Sequence, residues 1–245
     1  DLKNKRDVSI VNELVNSKKI VSVVDELQDQ QKELFLVNNP KVLQDASKGE
    51  AKFSSSLKEG SWVYYPWKFL LVHVLKKADY LKLKVSRNFN LILPSEQKKF
   101  ENFRIGIAGL NVGNPVAICI ALEGGGTEMK FADNDILSLS NLNRFRASIT
   151  DLGLNKAILS ARQVYEINPF TKVEVFSKGI NSNNVTKFLS EPKIDILIEE
   201  MDNLSLKVKI REQARKYRIP VVMVTGNGAN LILDIERFDV DPKLP

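Results

Sequence analysis

The sequence predicts an α/β fold, a Rossmann-like and mainly parallel sheet with helices on both faces, preceded by a smaller and mostly helical N-terminal region. Three observations carry that expectation. From about Arg104 onward short apolar runs alternate with helical patterns, a glycine-bearing turn follows the first run, and an aspartate closes the second. We place the division near residue 100, with residues 1–100 as the N-terminal region and 101–245 as a nucleotide-binding domain. The 43% hydrophobic content of 245 residues is enough to bury a substantial core.

The N-terminal region carries helical apolar spacing from Val11 to Leu36. Asp45 to Gly60, rich in Ser, Lys, Gly and Glu, reads as a loop. Gly60-Ser61-Trp62-Val63-Tyr64-Tyr65-Pro66-Trp67 alternates bulky residues ahead of a proline and reads as extended, and helix is expected to resume at Lys68. Trp62 and Trp67 are expected in a core rather than on a ligand surface. His73, inside Leu70-Leu71-Val72-His73-Val74-Leu75, is expected to be structural.

In the second part, Arg104-Ile105-Gly106-Ile107-Ala108 reads as a strand ending at Gly109, a glycine-bearing turn follows, and Ala117 to Glu123 has a helix-like pattern. Asn114 suits a helix N-cap and Pro115 the first helical position, where the missing proline N–H costs nothing. Gly124-Gly125-Gly126 ends that helix, and Thr127 to Ala132 forms a second strand ending at Asp133. This acid stands near the spacing, roughly 20 residues after the glycine turn, at which a dinucleotide-type fold presents a carboxylate to ribose hydroxyls. Further strands are expected at Val173–Phe176, Ile194–Ile198 and Val221–Val224, with helices at Lys156–Ile167, Val185–Leu189 and Ser205–Tyr217. Parallel strands joined by helices gather ligands at their carboxyl ends, where Gly109, Asp133 and Asp202 would lie. The turn itself is unusual. A G-x-G-x-x-G pattern would need glycine where Asn111 and Asn114 stand, so Gly109-Leu110-Asn111-Val112-Gly113 keeps two glycines.

Composition narrows the chemistry. Cys119 is the sole cysteine and His73 the sole histidine, which excludes an intrachain disulfide, a cysteine-pair zinc site and a well-based Ser-His-Asp triad. Catalysis would rest on carboxylates, Lys, Arg and backbone amides. Cys119, between Ile118 and Ile120, is expected in the core. The net charge of +6 comes from residues 1–100, with 18 Lys+Arg against 12 Asp+Glu, while residues 101–245 hold 18 of each. Those bases are scattered among acids, unlike the basic stripe with stacking aromatics of nucleic-acid binders, so no nucleic acid is expected as partner. No run approaches the roughly 20 apolar residues of a membrane span, and a cytoplasmic protein without membrane partners is the expectation. The Asp1 start and the Asp241-Pro242-Lys243-Leu244-Pro245 end suggest a piece of a longer protein, its nucleotide-binding domain truncated at the C-terminal side.

Five elements in order now become specific. They are Asp133-Asn134-Asp135, then Leu139-Ser140-Asn141-Leu142-Asn143-Arg144, then Asp151-Leu152-Gly153-Leu154-Asn155-Lys156-Ala157, then Ile167-Asn168-Pro169, then Glu200-Met201-Asp202-Asn203. Together, over about 135 residues, they resemble the ThiF/MoeB/HesA family of ubiquitin-activating-type adenylyltransferases. The resemblance implies an ATP-dependent adenylyltransferase that activates a carboxylate as an acyl-adenylate, the C-terminus of a ubiquitin-like or sulfur-carrier-like protein or of a peptide. It implies that Asp133 holds the ribose, that Asn141, Arg144 and Lys156 face the triphosphate, that Asp202 binds Mg²⁺, and that Gly109, Asn111 and Gly113 bound the nucleotide. Arg144, Lys156 and Asp202 are then the catalytic set, and ATP and Mg²⁺ the cofactors. A homodimer is implied too, with Arg87 reaching the phosphate site of a second copy.

This sequence departs from the family in its glycine-poor turn and in lacking a catalytic cysteine or zinc-binding cysteine pairs. The aromatic run at 60–67, the turn at 109–114 and Arg87-Asn88 ahead of Ser95-Glu96-Gln97 are similar to a bacterial subgroup in which a nitroreductase-like domain follows. The alternative expectation is therefore a non-catalytic nucleotide-binding or dimerisation module of such a fusion. An oxidoreductase using NAD or flavin fits less well, because Arg144, Lys156 and Asp202 suit a triphosphate and a metal.

Overall fold

The computed structural model describes residues 4–43 and 59–243, and it divides the chain into two compact units, 1–90 and 91–245. Most of the loop expected over 45–60 lies outside the described residues.

The first unit contains α1 (Lys5–Asn16), β1 (Ser22–Asp25), α2 (Leu27–Asn38), α3 (Pro40–Leu43), β2 (Ser61–Tyr65), β3 (Leu70–Val74) and α4 (Lys77–Lys84). Its three strands pair in the order β1-β3-β2, with β1 parallel and β2 antiparallel to β3. Two expectations fail here. The helical spacing read across Val11–Leu36 is broken by β1, because the β-branched Val21, Val23 and Val24 favour extended backbone. Leu70–Val74 is a strand where helix was expected to resume. A short apolar run has no decisive period, and pairing with the aromatic β2 settles its conformation. Trp62 and His73 face each other across β2 and β3, with rings stacked at 4.1 Å and 6°. His73 Nδ1 lies 3.0 Å from Asp25 Oδ1, and this contact holds the Asp25 carboxyl below its ordinary range. His73 is therefore a structural histidine.

The second unit contains α5 (Pro94–Asn102), β4 (Arg104–Ala108), α6 (Leu110–Leu122), β5 (Glu128–Ala132), α7 (Lys156–Ile167), β6 (Lys172–Phe176), α8 (Val185–Ser190), β7 (Ile196–Glu199), α9 (Leu204–Lys216), β8 (Val221–Asn227) and β9 (Asn230–Glu236). The six strands run β6-β5-β4-β7-β8-β9, parallel from β6 to β8, with β9 returning antiparallel as a hairpin. Alternation along the strands serves two layers. Ile105, Ile107, Met129 and Phe131 pack with α6 and α7, whereas Ala108, Ala132 and Leu197 pack with α8 and α9. The predicted α/β fold with helices on both faces is thus realised. Because the chain crosses from one side of β4 to the other between β6 and β7, the carboxyl ends of β4 and β7 open a crevice.

Three local expectations in α6 are corrected. The helix begins at Leu110 rather than Pro115, with Gly109 as its N-cap at φ +86, so Pro115 lies inside it. Asn114 is no cap. It is fully buried, donates from Nδ2 to Ser160 Oγ at 2.9 Å and Gln163 Oε1 at 2.7 Å, and accepts from the Arg146 amide at 3.1 Å. Cys119 is exposed, because the buried stripe follows Leu110, Gly113, Asn114, Ala117, Ile118 and Ala121 and leaves position 119 on the opposite flank.

Asn114 is thus the polar pin between α6 and α7. Asn114→Ala leaves the buried Ser160 hydroxyl and the partly buried Gln163 oxygen and Arg146 amide without their mate and should destabilise the fold by about 2 kcal/mol, read as a lower urea midpoint at unchanged slope.

Candidate functional site

A β4–α6 turn this tight requires a residue at positive φ, and Gly109 supplies it. A Cβ at Gly109 would stand 2.3 Å from the Glu200 carbonyl oxygen, so the turn also depends on close approach to the strand end of β7. The N-terminus of α6 thereby faces the ends of β5 and β7. Asp133, which closes β5, accepts from the Leu110 amide through Oδ2 at 2.7 Å and from the Asp135 amide through Oδ1 at 2.8 Å. One of the amides that a helix start leaves unpaired is satisfied in this way. Burial raises the Asp133 pKa, and the two amide donors oppose the shift.

A cavity of about 450 Å³ opens at these strand ends, lined by Gly109, Asn111, Asp133, Asp135, Glu200 and Asp202 among others. Asp202 sits on its exposed lip, and Asn203 caps α9 by accepting from the Leu206 amide. Lys156, at the first position of α7, is 4% exposed and reaches Asp135 Oδ2 at 3.0 Å. With the Asn111 amide turned so that its oxygen faces the guanidinium, Arg144 Nη2 and Nε donate to it at 2.7 and 2.9 Å. Arg144 and Lys156 therefore join the cavity through residues that line it.

Of the residues singled out in the sequence, Gly109, Asn111, Asp133 and Asp202 line the cavity, and Arg144 and Lys156 sit one contact behind. Gly113 and Asn141 do not line it. Since α6 starts early, Gly113 lies in its first turn against Ile107, where a Cβ would come within 2.5 Å of that side chain. The Asn141 oxygen accepts from the Ser138 amide at 3.0 Å and closes its own turn. Sequence reasoning passed over Glu200, Lys178 and Ile180, which also line the cavity. Glu200 stood inside a quoted motif, but nothing in the sequence said that its side chain turns inward. Lys178 and Ile180 follow β6, and the only available signal was their place after a strand's carboxyl end.

A divalent ion was expected on Asp202. Among the described residues no three His, Cys, Asp or Glu side chains are grouped as a metal site. The donor set still fits Mg²⁺, which keeps several waters and needs only one or two carboxylates beside a substrate's phosphates.

The ThiF family matches residues 85–230, which is more than half of the sequence. The chain belongs to the ThiF family. It is similar to a Mycobacterium tuberculosis protein known as uncharacterized protein MT1398, with 36% identity over 184 residues, 75% of this chain and 25% of that one. It is also similar to a probable molybdopterin-synthase adenylyltransferase of Porphyra purpurea, with 33% identity over 109 residues, 44% of this chain and 27% of the relative. The chain thus spans about a quarter of the length of both. Among solved structures, the Escherichia coli tRNA N6-threonylcarbamoyladenosine dehydratase in complex with ATP superposes with a TM-score of 0.58 at 24% identity, over 64% of each chain, and shares the fold. No helix among the described residues of this ThiF-family chain is long and apolar enough to cross a membrane.

The cavity floor yields a pH test. Glu200 is buried, its Oε1 accepts from the Val224 amide at 2.9 Å, and desolvation raises its pKa against that bond. An acid with a raised folded-state pKa binds its proton more tightly folded than unfolded. Its ionisation therefore costs stability as pH rises from the ordinary glutamate range through the raised value. Glu200→Gln keeps an acceptor for Val224, so it should raise the thermal midpoint at neutral pH and leave it unchanged well below the glutamate range. A lower midpoint at neutral pH would contradict the desolvation argument.

Proposed function

We propose that this chain is the ATP-dependent adenylyltransferase part of its protein, activating a carboxylate as an acyl-adenylate, with the C-terminus of a small protein or peptide as substrate. The observation that carries the reading is the convergence at one crevice of the α6 N-terminus, Asp133, Asp202 and, through Asn111 and Asp135, the two cations Arg144 and Lys156. Family membership and the adenylyltransferase name of one relative support the reaction type, and that relative's protein-directed name supports the substrate class.

The chemistry needs no side-chain nucleophile. A substrate carboxylate oxygen attacks the α-phosphorus, the bond from that phosphorus to the bridging oxygen breaks, and pyrophosphate leaves with the electron pair. No proton moves. Two anions are brought together and negative charge shifts onto the leaving group, so fixed cations stabilise the transition state more than the ground state. In this reading Asp133 holds the ribose hydroxyls with its remaining lone pairs, and Arg144 and Lys156 meet the phosphates. Lys156 exchanges Asp135 for a phosphate oxygen in doing so. Asp202 would hold Mg²⁺, which neutralises phosphate charge when bound. A homodimer belongs to the same proposal.

Two measurements test it. ATP titrated into the protein should bind more tightly with Mg²⁺ than without, and Asp202→Asn should remove most of the difference; equal affinity in both conditions removes Asp202 from metal binding. With an accepted carboxylate partner, Lys156→Ala should slow ATP–pyrophosphate exchange by on the order of 10²–10³ while weakening ATP binding far less. Absence of exchange in the parent chain with every partner tried would favour a non-catalytic nucleotide-binding module, the reading that Asn111 in the phosphate turn supports.

A further inference from the structure

Asn111 occupies the second position of α6, at the mouth of the crevice, where a phosphate-binding turn is ordinarily most glycine-rich. Its side chain does not simply fill that space. The amide oxygen receives Arg144 Nη2 at 2.7 Å and Nε at 2.9 Å, while Arg144 Nη1 donates to Asn143 Oδ1 at 2.8 Å and to the Ser140 carbonyl at 3.4 Å. Of the five N–H groups of the guanidinium, one on Nη2 is left over. Arg144 is exposed, and Ser140 and Asn143 belong to its own loop, so the bonds to Asn111 are what tie this cation to the α6 turn.

We propose that Asn111 is a positioning residue that holds the Arg144 guanidinium over the N-terminus of α6, ready for the anionic end of a nucleoside triphosphate. The proposal rests on reading this crevice as the ATP site. Its chemical logic lies in the amide. A long, exposed arginine loses rotamer freedom when it binds, and restraining it beforehand removes that cost from the binding step. A neutral acceptor leaves the full positive charge available, and a phosphate oxygen displaces it because an anionic acceptor adds charge–charge attraction that the amide oxygen lacks. Aspartate at this position would hold the arginine more tightly and cancel its charge. Glycine would leave the guanidinium tethered only to its own loop. The same side chain that makes the turn look defective thus supplies the anchor for its cation.

The test is a double-mutant cycle read by calorimetric titration of ATP and AMP, with Mg²⁺ present, into the parent chain, Asn111→Ala, Arg144→Ala and the double variant. Alanine suits a first-turn helical position, so folding is retained, and thermal midpoints verify it. Asn111→Ala should weaken ATP about five- to tenfold and leave AMP nearly unchanged, with no further loss when Arg144 is already alanine. Asn111→Asp should weaken ATP more than Asn111→Ala does. Equal losses for ATP and AMP, or full additivity with Arg144→Ala, would overturn the proposal, since Asn111 would then touch the nucleotide itself or merely shape the turn. A parent chain that binds neither nucleotide removes the adenylyltransferase reading and this inference together, whereas a parent that binds both with an ATP-to-AMP ratio insensitive to Asn111→Ala removes this inference alone.

Discussion

The second unit depends on one carboxylate. Asp133 ends β5, yet its two oxygens accept amides on either side of it, Leu110 at the start of α6 and Asp135 at the start of the loop leading to α7. Those bonds set where α6 begins and hold the loop that carries Asp135 toward Lys156. Burying a carboxylate is unfavourable, as its raised pKa records, and the amide donors offset part of that cost. A helix start that must be satisfied and an acid that must be solvated answer each other, and the crevice forms where they meet.

Around that lock, buried polar groups act mainly as fasteners. Lys130, almost wholly inside the protein, donates to the carbonyls of Lys187, Glu191 and Pro192 and so caps the end of α8. Arg211 on α9 pairs with Asp234 and Glu236 of β9 and approaches the fully buried Glu199 of β7, whose other cationic neighbour is Lys207 at 2.9 Å. These contacts attach the antiparallel β9 to α9 and fix the backbone leading into Met201 and Asp202. Because Glu199 and Arg211 each have more than one partner, the crevice wall is held by a connected network rather than by a single pair.

The site is electrostatically divided. Its lining carries Asp133, Asp135, Glu200 and Asp202, with Lys178 as a counterweight, while Arg144 and Lys156 stand behind Asn111 and Asp135. A bare triphosphate entering so many carboxylates would be repelled. Phosphate binding there demands a divalent ion, or the turning of both cations from their protein partners toward the ligand, or both. The Lys156–Asp135 pair is asymmetric in this respect, with the ammonium buried and the carboxylate exposed, so water can take over Asp135 whereas Lys156 needs another anion in its place.

By itself the sequence determined the α/β class, the order of strands and helices from Arg104 to Val224, and the positions of Gly109, Asp133 and Asp202 at strand ends, because alternating periods and turn residues are local signals. Lys156–Ile167 was legible to the residue for the same reason, and the structure adds Asn155 as its cap. Only tertiary structure decided the rest. Leu70–Val74 became a strand because β2 and β1 pair with it, Asn114 became a pin because Ser160 and Gln163 meet it, and Cys119 faced outward because the early start of α6 set the helix phase. Asn111 read as a defect in a glycine turn until folding brought Arg144, 33 residues later, onto its amide oxygen. Sequence records which side chains are available, but a contact between distant positions depends on helix phase and sheet pairing, which the whole chain settles together.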